Sequence, residues 1–540
     1  MEIYIHKKAL YEAQVEQLQQ QYNRISLGRL VAVLLVILAV YGYQKNDRSS
    51  LVILGSIAVV AFFVLMRWHT RVAYQKKIAQ ALVAINTDEI DFLERKTIPF
   101  EDGIGFNDFH HPYAYDLDIF GQQSLFQSLN RTGTYMGKKT LASHLLKGNT
   151  ITIIEQIQEA TKELREKIDW RQHFLATAKV GKDSEVMYQK LLRWSVFNSE
   201  SVPQLAIIFA YVSPVVLMIL GISYGLTSNL VLAKFFGLLF MVNLATAGVF
   251  LKRILSETAH SSEINTIVHN YSLLIEKIEN EKFSSQKAIH LQQQLVQESQ
   301  PVSVQLKQLS NLFSKMDTTS NFLVSILFNG FFLYNLHLLK AIVHWKINHA
   351  INLEQSLVVI GEFEMLNSLA NFSFNNPDFA YPKLNKEYKI AFENLSHPLL
   401  NPKTRVGNTV TFYPQSFIIL TGSNMSGKST FLRSLGVNMV LAGMGAPVCA
   451  TQANVHPMPV LVSMRLSDSL SDSESYFFAE IKRLKQIMDG LDESPAFVLL
   501  DEILRGTNSD DKRSGTIEVV KKVIAKKAIE QLRPTILKCV

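Results

Sequence analysis

Nine consecutive residues, Gly422-Ser423-Asn424-Met425-Ser426-Gly427-Lys428-Ser429-Thr430, constrain this chain more than any other feature, because they fit the pattern G-x-x-x-x-G-K-[ST] in full. An apolar run from Phe417 to Leu420 precedes them, and a segment of helical pattern begins at Phe431. A strand that turns through glycines into a helix gathers backbone N–H groups at one point, and such a nest takes phosphate oxygens. Lys428 would neutralise β- and γ-phosphate charge and Ser429 would hold Mg²⁺, so ATP with Mg²⁺ is the expected ligand. A second apolar run, Phe497-Val498-Leu499-Leu500, ends in Asp501-Glu502. Such a run reads as a buried parallel strand. It delivers two carboxylates to the carboxyl edge of the sheet, where open α/β sheets bind ligands. Asp501 is expected to bind Mg²⁺ through water, and Glu502 to polarise the attacking water.

Between the two motifs lies Ser471-Asp472-Ser473-Glu474-Ser475-Tyr476-Phe477-Phe478-Ala479-Glu480, and Ile503-Leu504-Arg505-Gly506-Thr507-Asn508 follows the acidic pair. Residues 421–450, 473–480 and 501–508 resemble the ATPase of the MutS family of DNA mismatch-repair proteins. The resemblance implies an ABC-type P-loop ATPase that works as a dimer and uses ATP and Mg²⁺. It implies that Ser475 is the signature serine, reaching the γ-phosphate bound to the other subunit, and that Thr507 and Asn508 lie in the stretch touching that subunit. The L-S-G-G-Q expected of a transporter ATPase is not found before the acidic strand. Upstream, Leu117 to Phe120, Ser124-Leu125-Phe126 and Leu129-Asn130-Arg131-Thr132-Gly133-Thr134 with Gly137 are similar to the opening of the MutS core domain. His397-Pro398-Leu399-Leu400 resembles the His-Pro that precedes the family's ATPase. The helical pattern between these points suits the family's core and lever helices.

A chain of 540 residues is expected to hold several domains, and a hydrophobic fraction of 48% is high for a soluble multidomain ATPase. The excess sits in four apolar runs, at 27–43, 51–66, 205–226 and 230–251. Each is close to the roughly 17–25 residues that span hydrocarbon, and none carries the polar stripe of a surface helix. They read as two membrane hairpins. Lys7, Lys8, Arg24 and Arg29 precede the first hairpin, Arg67, Arg71, Lys76 and Lys77 follow it, and Lys252 and Arg253 follow the second. By the positive-inside tendency both termini and the ATPase are cytoplasmic. A fifth apolar segment, 322–345, carries Asn329, Asn335, His337 and Lys340. A crossing there would put the phosphate loop on the side away from ATP, so it reads as a buried core helix. Residues 261–300 read as one or two long exposed helices. The first run does not read as a cleaved signal.

Cys449 and Cys539 offer neither metal spacing nor a disulfide framework, and His110-His111 is a weak metal candidate. The formal net charge of +7 suits DNA or an anionic membrane surface without separating them. The mismatch-binding and connector domains that open a mismatch-recognising MutS protein have no counterpart before residue 117. Phe92-Leu93-Glu94 matches the family's mismatch wedge in letters but not in setting. The family's strand after the acidic one ends in a Thr-His-Asp type switch, whereas here Arg533-Pro534 interrupts it. A nucleotide string encoding Glu530 to Val540 also encodes, two bases on, Ala-Ile-Ala-Thr-His-Asp-Phe-Glu-Val-Cys. The expectation is therefore a frameshift just after Ile529 and the loss of one sheet strand.

The fold expected is α with α/β. Residues 1–84 would hold the first membrane hairpin, 85–390 a helical core with the second, and 391–540 an incomplete ABC-type ATPase domain. The function expected is a membrane-anchored, MutS-like, ATP-hydrolysing homodimer with DNA as a partner. Two alternatives stay open: a membrane ATPase coupled to a non-DNA partner, and a hydrolysis-impaired scaffold.

Overall fold

The computed structural model describes residues 1–46, 49–197, 200–257, 261–296, 300–319, 321–413, 417–423, 426–464, 476–504, 508–526 and 536–539. The chain divides into two compact units, Met1–Glu101 with Lys167–Val180, and Asp102–Glu166 with Gly181–Val540.

The first unit is built on two helices of 45 residues each, Glu2–Asn46 and Ser49–Leu93. They run antiparallel, with Ser26 hydrogen-bonded to His69 and Gly42 beside Leu51. Buried residues recur every seven positions in the first helix, at Tyr4, Tyr11, Leu18, Ile25, Ala32 and Ala39. The second follows the same step at Ala58, Val72, Ala79 and Asn86. A sustained seven-residue repeat winds two helices into a left-handed coiled coil. On the first helix the seam residues taper from tyrosines at the open end to alanines near the tip, while the second keeps small ones, Ala58, Val72 and Ala79. Around that tip the outer faces are apolar, with Leu30, Leu34, Ile37, Leu38, Ile53 and Val60 all exposed. The expected runs 27–43 and 51–66 are thus the distal parts of far longer helices. At about 1.5 Å per residue each helix is roughly 68 Å long, over twice a hydrocarbon core of about 30 Å. At the open end, Leu175 and Ala176 pack with Tyr11, Leu82 and Ile85. Asn86 and Gln172 exchange amide hydrogen bonds of 3.3 and 2.9 Å, and Lys179 pairs with Asp88 at 3.2 Å.

In the second unit, helix Tyr135–Leu146 packs on helix Leu353–Asn375. Buried Glu364 of the latter accepts hydrogen bonds from Gly133 N at 2.6 Å, from Thr134 N at 3.2 Å and from the Thr134 hydroxyl. These are donors a helix N-terminus leaves free. Helix Ser261–Asn280 lies along Val302–Thr318 and buries Ile264, Ile267, Val268, Tyr271, Leu274 and Ile275. This corrects the expectation of exposed helices there: the irregular apolar spacing is a core face.

Helices Gln204–Thr227 and Leu230–Val249 match the third and fourth apolar runs, and among the described residues four helices are long and apolar enough to cross a membrane by length and composition. The segment expected to be one buried core helix breaks at Leu333, which has φ 46°, into Phe322–Phe332 and Tyr334–His349. The axis bends by 86° at this break. Only the second half is core, burying Leu336, Leu338, Leu339, Ile342, Val343 and Trp345. The first half exposes Phe322, Leu323, Leu327, Phe328 and Phe332.

Two four-stranded sheets follow. The strands are β1 (Lys383–Leu384), β2 (Ile390–Leu395), β3 (Asn408–Phe412), β4 (Phe417–Leu420), β5 (Gln452–Val455), β6 (Val460–Ser463), β7 (Phe497–Asp501) and β8 (Ile536–Cys539). The first sheet has the order β1-β5-β2-β3, with β2 antiparallel to both neighbours. The second has the order β4-β8-β7-β6 and is parallel throughout. β7 is buried at every position, as its unbroken apolar run requires. β8 corrects the expectation of a missing strand. Arg533-Pro534 precedes it without preventing Ile536–Cys539 from pairing with both β4 and β7.

Candidate functional site

The parallel sheet sends the chain out of β4 into the glycine-rich loop and out of β7 into Asp501-Glu502, at the same carboxyl edge. One strand separates them, which at about 4.8 Å per strand step puts the two exits roughly 10 Å apart. Gly427, with φ 88°, ends the loop in a left-handed turn that favours glycine, and helix Lys428–Gly443 starts on the next residue. Gly422, Ser423 and Ser426 are exposed in the loop, and Ser429 and Thr430 lie in the first helical turn with exposed surface. Asn424, Met425 and Ser475 fall outside the described residues. Lys428 turns back on its loop: Nζ donates to Gly422 O at 2.8 Å and to Ser423 O at 2.9 Å.

Asp501 is almost fully buried at the end of β7, and Glu502 next to it is exposed in a left-handed conformation, φ 46°. Leu504 is left-handed as well, φ 59°, and its N–H donates to the buried carboxylate of Glu480. A non-glycine residue held at positive φ is strained, and here the hydrogen bond that Leu504 donates to helix Tyr476–Glu493 fixes the turn. An acidic loop with fixed geometry beside a helix N-terminus can hold a divalent cation and a phosphate chain together. The exposed Ser429 hydroxyl and the Asp501 carboxylate are oxygen donors of the type Mg²⁺ takes, so the residues fit an ATP–Mg²⁺ group.

Several supports were not legible in the motifs. Asp116 accepts a hydrogen bond from Met464 N at 2.8 Å and one from Arg483 Nη2 at 2.9 Å. Met464 precedes and Arg483 follows the stretch 465–475 that contains Ser475, so a single carboxylate grips both sides of it. Arg483 also donates to Val462 O at 3.0 Å and to His111 O at 2.9 Å. A lone Asp in a loop rich in aromatic residues gives no sequence signal for such a role. The His-Pro motif packs against the helix after the phosphate loop: Asn438 donates to Ser396 O at 3.0 Å and accepts from Cys449 N at 2.6 Å. Burial, with Arg433 nearby, pushes His397 down to about 4, so it is neutral at pH 7. Arg433 itself pairs with Asp118 at 3.3 Å.

Residues 418–536 match the family model of MutS domain V. That domain is an ATPase domain, and its match spans β4 to the start of β8. A DNA mismatch repair protein MutS of Methanococcoides burtonii is 31% identical over 170 residues, covering 30% of this chain and 19% of that protein. The Clostridium perfringens protein of the same name is 29% identical over 190 residues, 33% of this chain and 20% of its own. That of Flavobacterium johnsoniae is 28% identical over 182 residues, 32% of this chain and 21% of its own. The chain therefore spans about a fifth of the length of the curated relatives it matches. Its MutS likeness rests on the nucleotide end.

Proposed function

We propose that this chain is a membrane-anchored ATPase whose MutS-type head binds and hydrolyses ATP as a homodimer. The observation that carries the reading is the parallel sheet of the MutS domain V segment, with the phosphate loop leaving β4 and Asp501-Glu502 leaving β7. The loop N–H groups of 422–427 and the ammonium of Lys428 bind the phosphate chain. Ser429 and Asp501 hold Mg²⁺, which when bound neutralises phosphate charge. Glu502 orients and deprotonates the attacking water. Ser475 of a second copy closes the site over the γ-phosphate, by resemblance to the family. The four long apolar helices support anchorage, and the charge flanking them supports a cytoplasmic head.

The test is ATP turnover by the full chain in lipid vesicles. Lys428→Ala is expected to abolish both binding and turnover. Glu502→Gln is expected to keep ATP bound and to slow turnover by about 10²–10⁴-fold, the range for a lost general base. Wild-type protein that binds ATP without turning it over would point to the scaffold reading instead.

DNA is the proposed effector. A second reading, a membrane-coupled ATPase without DNA, is favoured by the placement of the second hairpin in the same compact unit as the nucleotide site. Duplex DNA binding that weakens steeply between about 50 and 200 mM salt supports the first. ATPase activity that responds to lipid and ignores DNA supports the second.

A further inference from the structure

Phe322–Phe332 is an apolar helix of 11 residues whose large side chains face outward rather than into the core. It packs against the second apolar hairpin, Gln204–Thr227 and Leu230–Val249. At about 1.5 Å per residue it is roughly 16 Å long, half of a hydrocarbon core. It then breaks at Leu333, and Tyr334–Asn375 leads away at 86°.

Polar contacts at this break are those that backbone needs when water is absent. Non-helical backbone at membrane depth is tolerated only where protein satisfies its N–H and C=O groups. Asn243, fully buried in the hairpin, donates to Gly330 O at 2.8 Å and accepts from the Ser213 hydroxyl at 2.6 Å. Gly330 allows this approach, since a Cβ there would lie 2.2 Å from the Phe240 ring. Beyond the break, Asn335 N donates to the Asn329 side chain at 2.9 Å. Pro214 lacks the N–H that would bond Ala210 O in its helix. His337 Nε2, on the outgoing arm, sits 3.2 Å from that freed oxygen. Further along the arm, Lys346 pairs with Glu257 at 3.2 Å, both buried, next to Trp194.

The levels agree along the helices. Asn243 is six residues from the end of its helix at Val249, and Ala210 six from the start of its helix at Gln204. At about 1.5 Å per residue both contacts lie roughly 10 Å in from the same side. The helix Val302–Thr318 that feeds Phe322 is tied by Ser310 and Ser314 to Asn265, in the helix Ser261–Asn280 that follows the hairpin's exit.

We infer that residues 322–345 form a re-entrant membrane loop, with Phe322–Phe332 dipping among lipid acyl chains against the second hairpin and Tyr334–His349 returning to the same side. The occupant of its exposed face is the bilayer interior, because that face continues the apolar face of the hairpin, where Leu238 and Met241 are exposed. A loop that enters and leaves on one side keeps the phosphate loop on the side of ATP, which a fifth crossing would not. This rests on the membrane reading of the hairpin.

The full chain, with Cys449 and Cys539 replaced by serine, is reconstituted in phosphatidylethanolamine–phosphatidylglycerol vesicles. Bimane is attached at Leu327→Cys, at Leu238→Cys in the hairpin, or at Val186→Cys. Brominated lipid is expected to cut emission to half or less at 327 and 238 and to leave 186 unchanged. Quenching at 238 without quenching at 327 overturns the re-entrant loop and leaves the hairpin reading intact. No quenching at either overturns both. Membrane-impermeant maleimide is expected to modify Lys315→Cys and Asn348→Cys from the same face. Modification from opposite faces would make the segment a full crossing and overturn the inference.

Discussion

Lys428 has its ammonium satisfied by two carbonyls of its own loop, so binding a phosphate chain means exchanging one set of partners for another. The residues that support this site lie further away. Asp116→Asn weakens two contacts at once, one of them to the charged Arg483. A hydrogen bond to a charged group contributes about 1.5–3 kcal/mol. The variant is expected to turn ATP over about tenfold more slowly while nucleotide affinity changes less than threefold, read by steady-state kinetics beside equilibrium binding. Glu364 gives a pH prediction. Burial, with Asp183 nearby, raises its carboxyl to about 7 despite the donors at Gly133 and Thr134. A carboxyl whose folded pKa exceeds its unfolded value contributes stability that is complete below about 4.5 and lost as pH rises through about 7. The span is on the order of 3 kcal/mol. Thermal unfolding of Glu364→Gln in detergent, compared with wild type, is expected to lack this decline. An equal decline in both proteins would remove Glu364 as its source.

At the scale of elements, legibility followed the strength of the local pattern. The phosphate loop, the Asp501 strand and four apolar helices were readable because each rests on a short-range rule: glycine spacing, an unbroken apolar run, span length. Glu364 and Asp116 were not, because their partners are some 230 and 350 residues away in the chain. The break at Leu333 was not legible because nothing in Phe332-Leu333-Tyr334 marks a turn, and leucine rarely takes the left-handed φ of 46° it has there. β8 was not legible because Arg533-Pro534 is a strand-breaking pair and only four residues pair beyond it. The coiled coil also allows a test. Ala79 is buried in the seam, so Ala79→Trp overpacks it and is expected to cost about 1–3 kcal/mol by thermal unfolding. The same change at exposed Gln75 is expected to cost under about 0.5 kcal/mol.

At the scale of the whole molecule, the apolar surface decides where the chain resides. Hydrophobic burial is not screened by salt, whereas surface charge contacts are. The protein is expected to stay in the membrane pellet through washes in 1 M salt, on the order of a 3 Å Debye length, and to leave it only with detergent. Release by salt alone would assign the attachment to the basic residues around the apolar helices. The graded seam of the long hairpin bears on its mechanics. Two helices with a uniform seam could slip past each other by one repeat, about 10 Å, and find equivalent contacts. Here, along the first helix, tyrosines give way to leucine and isoleucine and then to alanine. A slip would carry the tyrosines of the first helix to positions that now hold its smaller side chains, so the hairpin is wedged in one register.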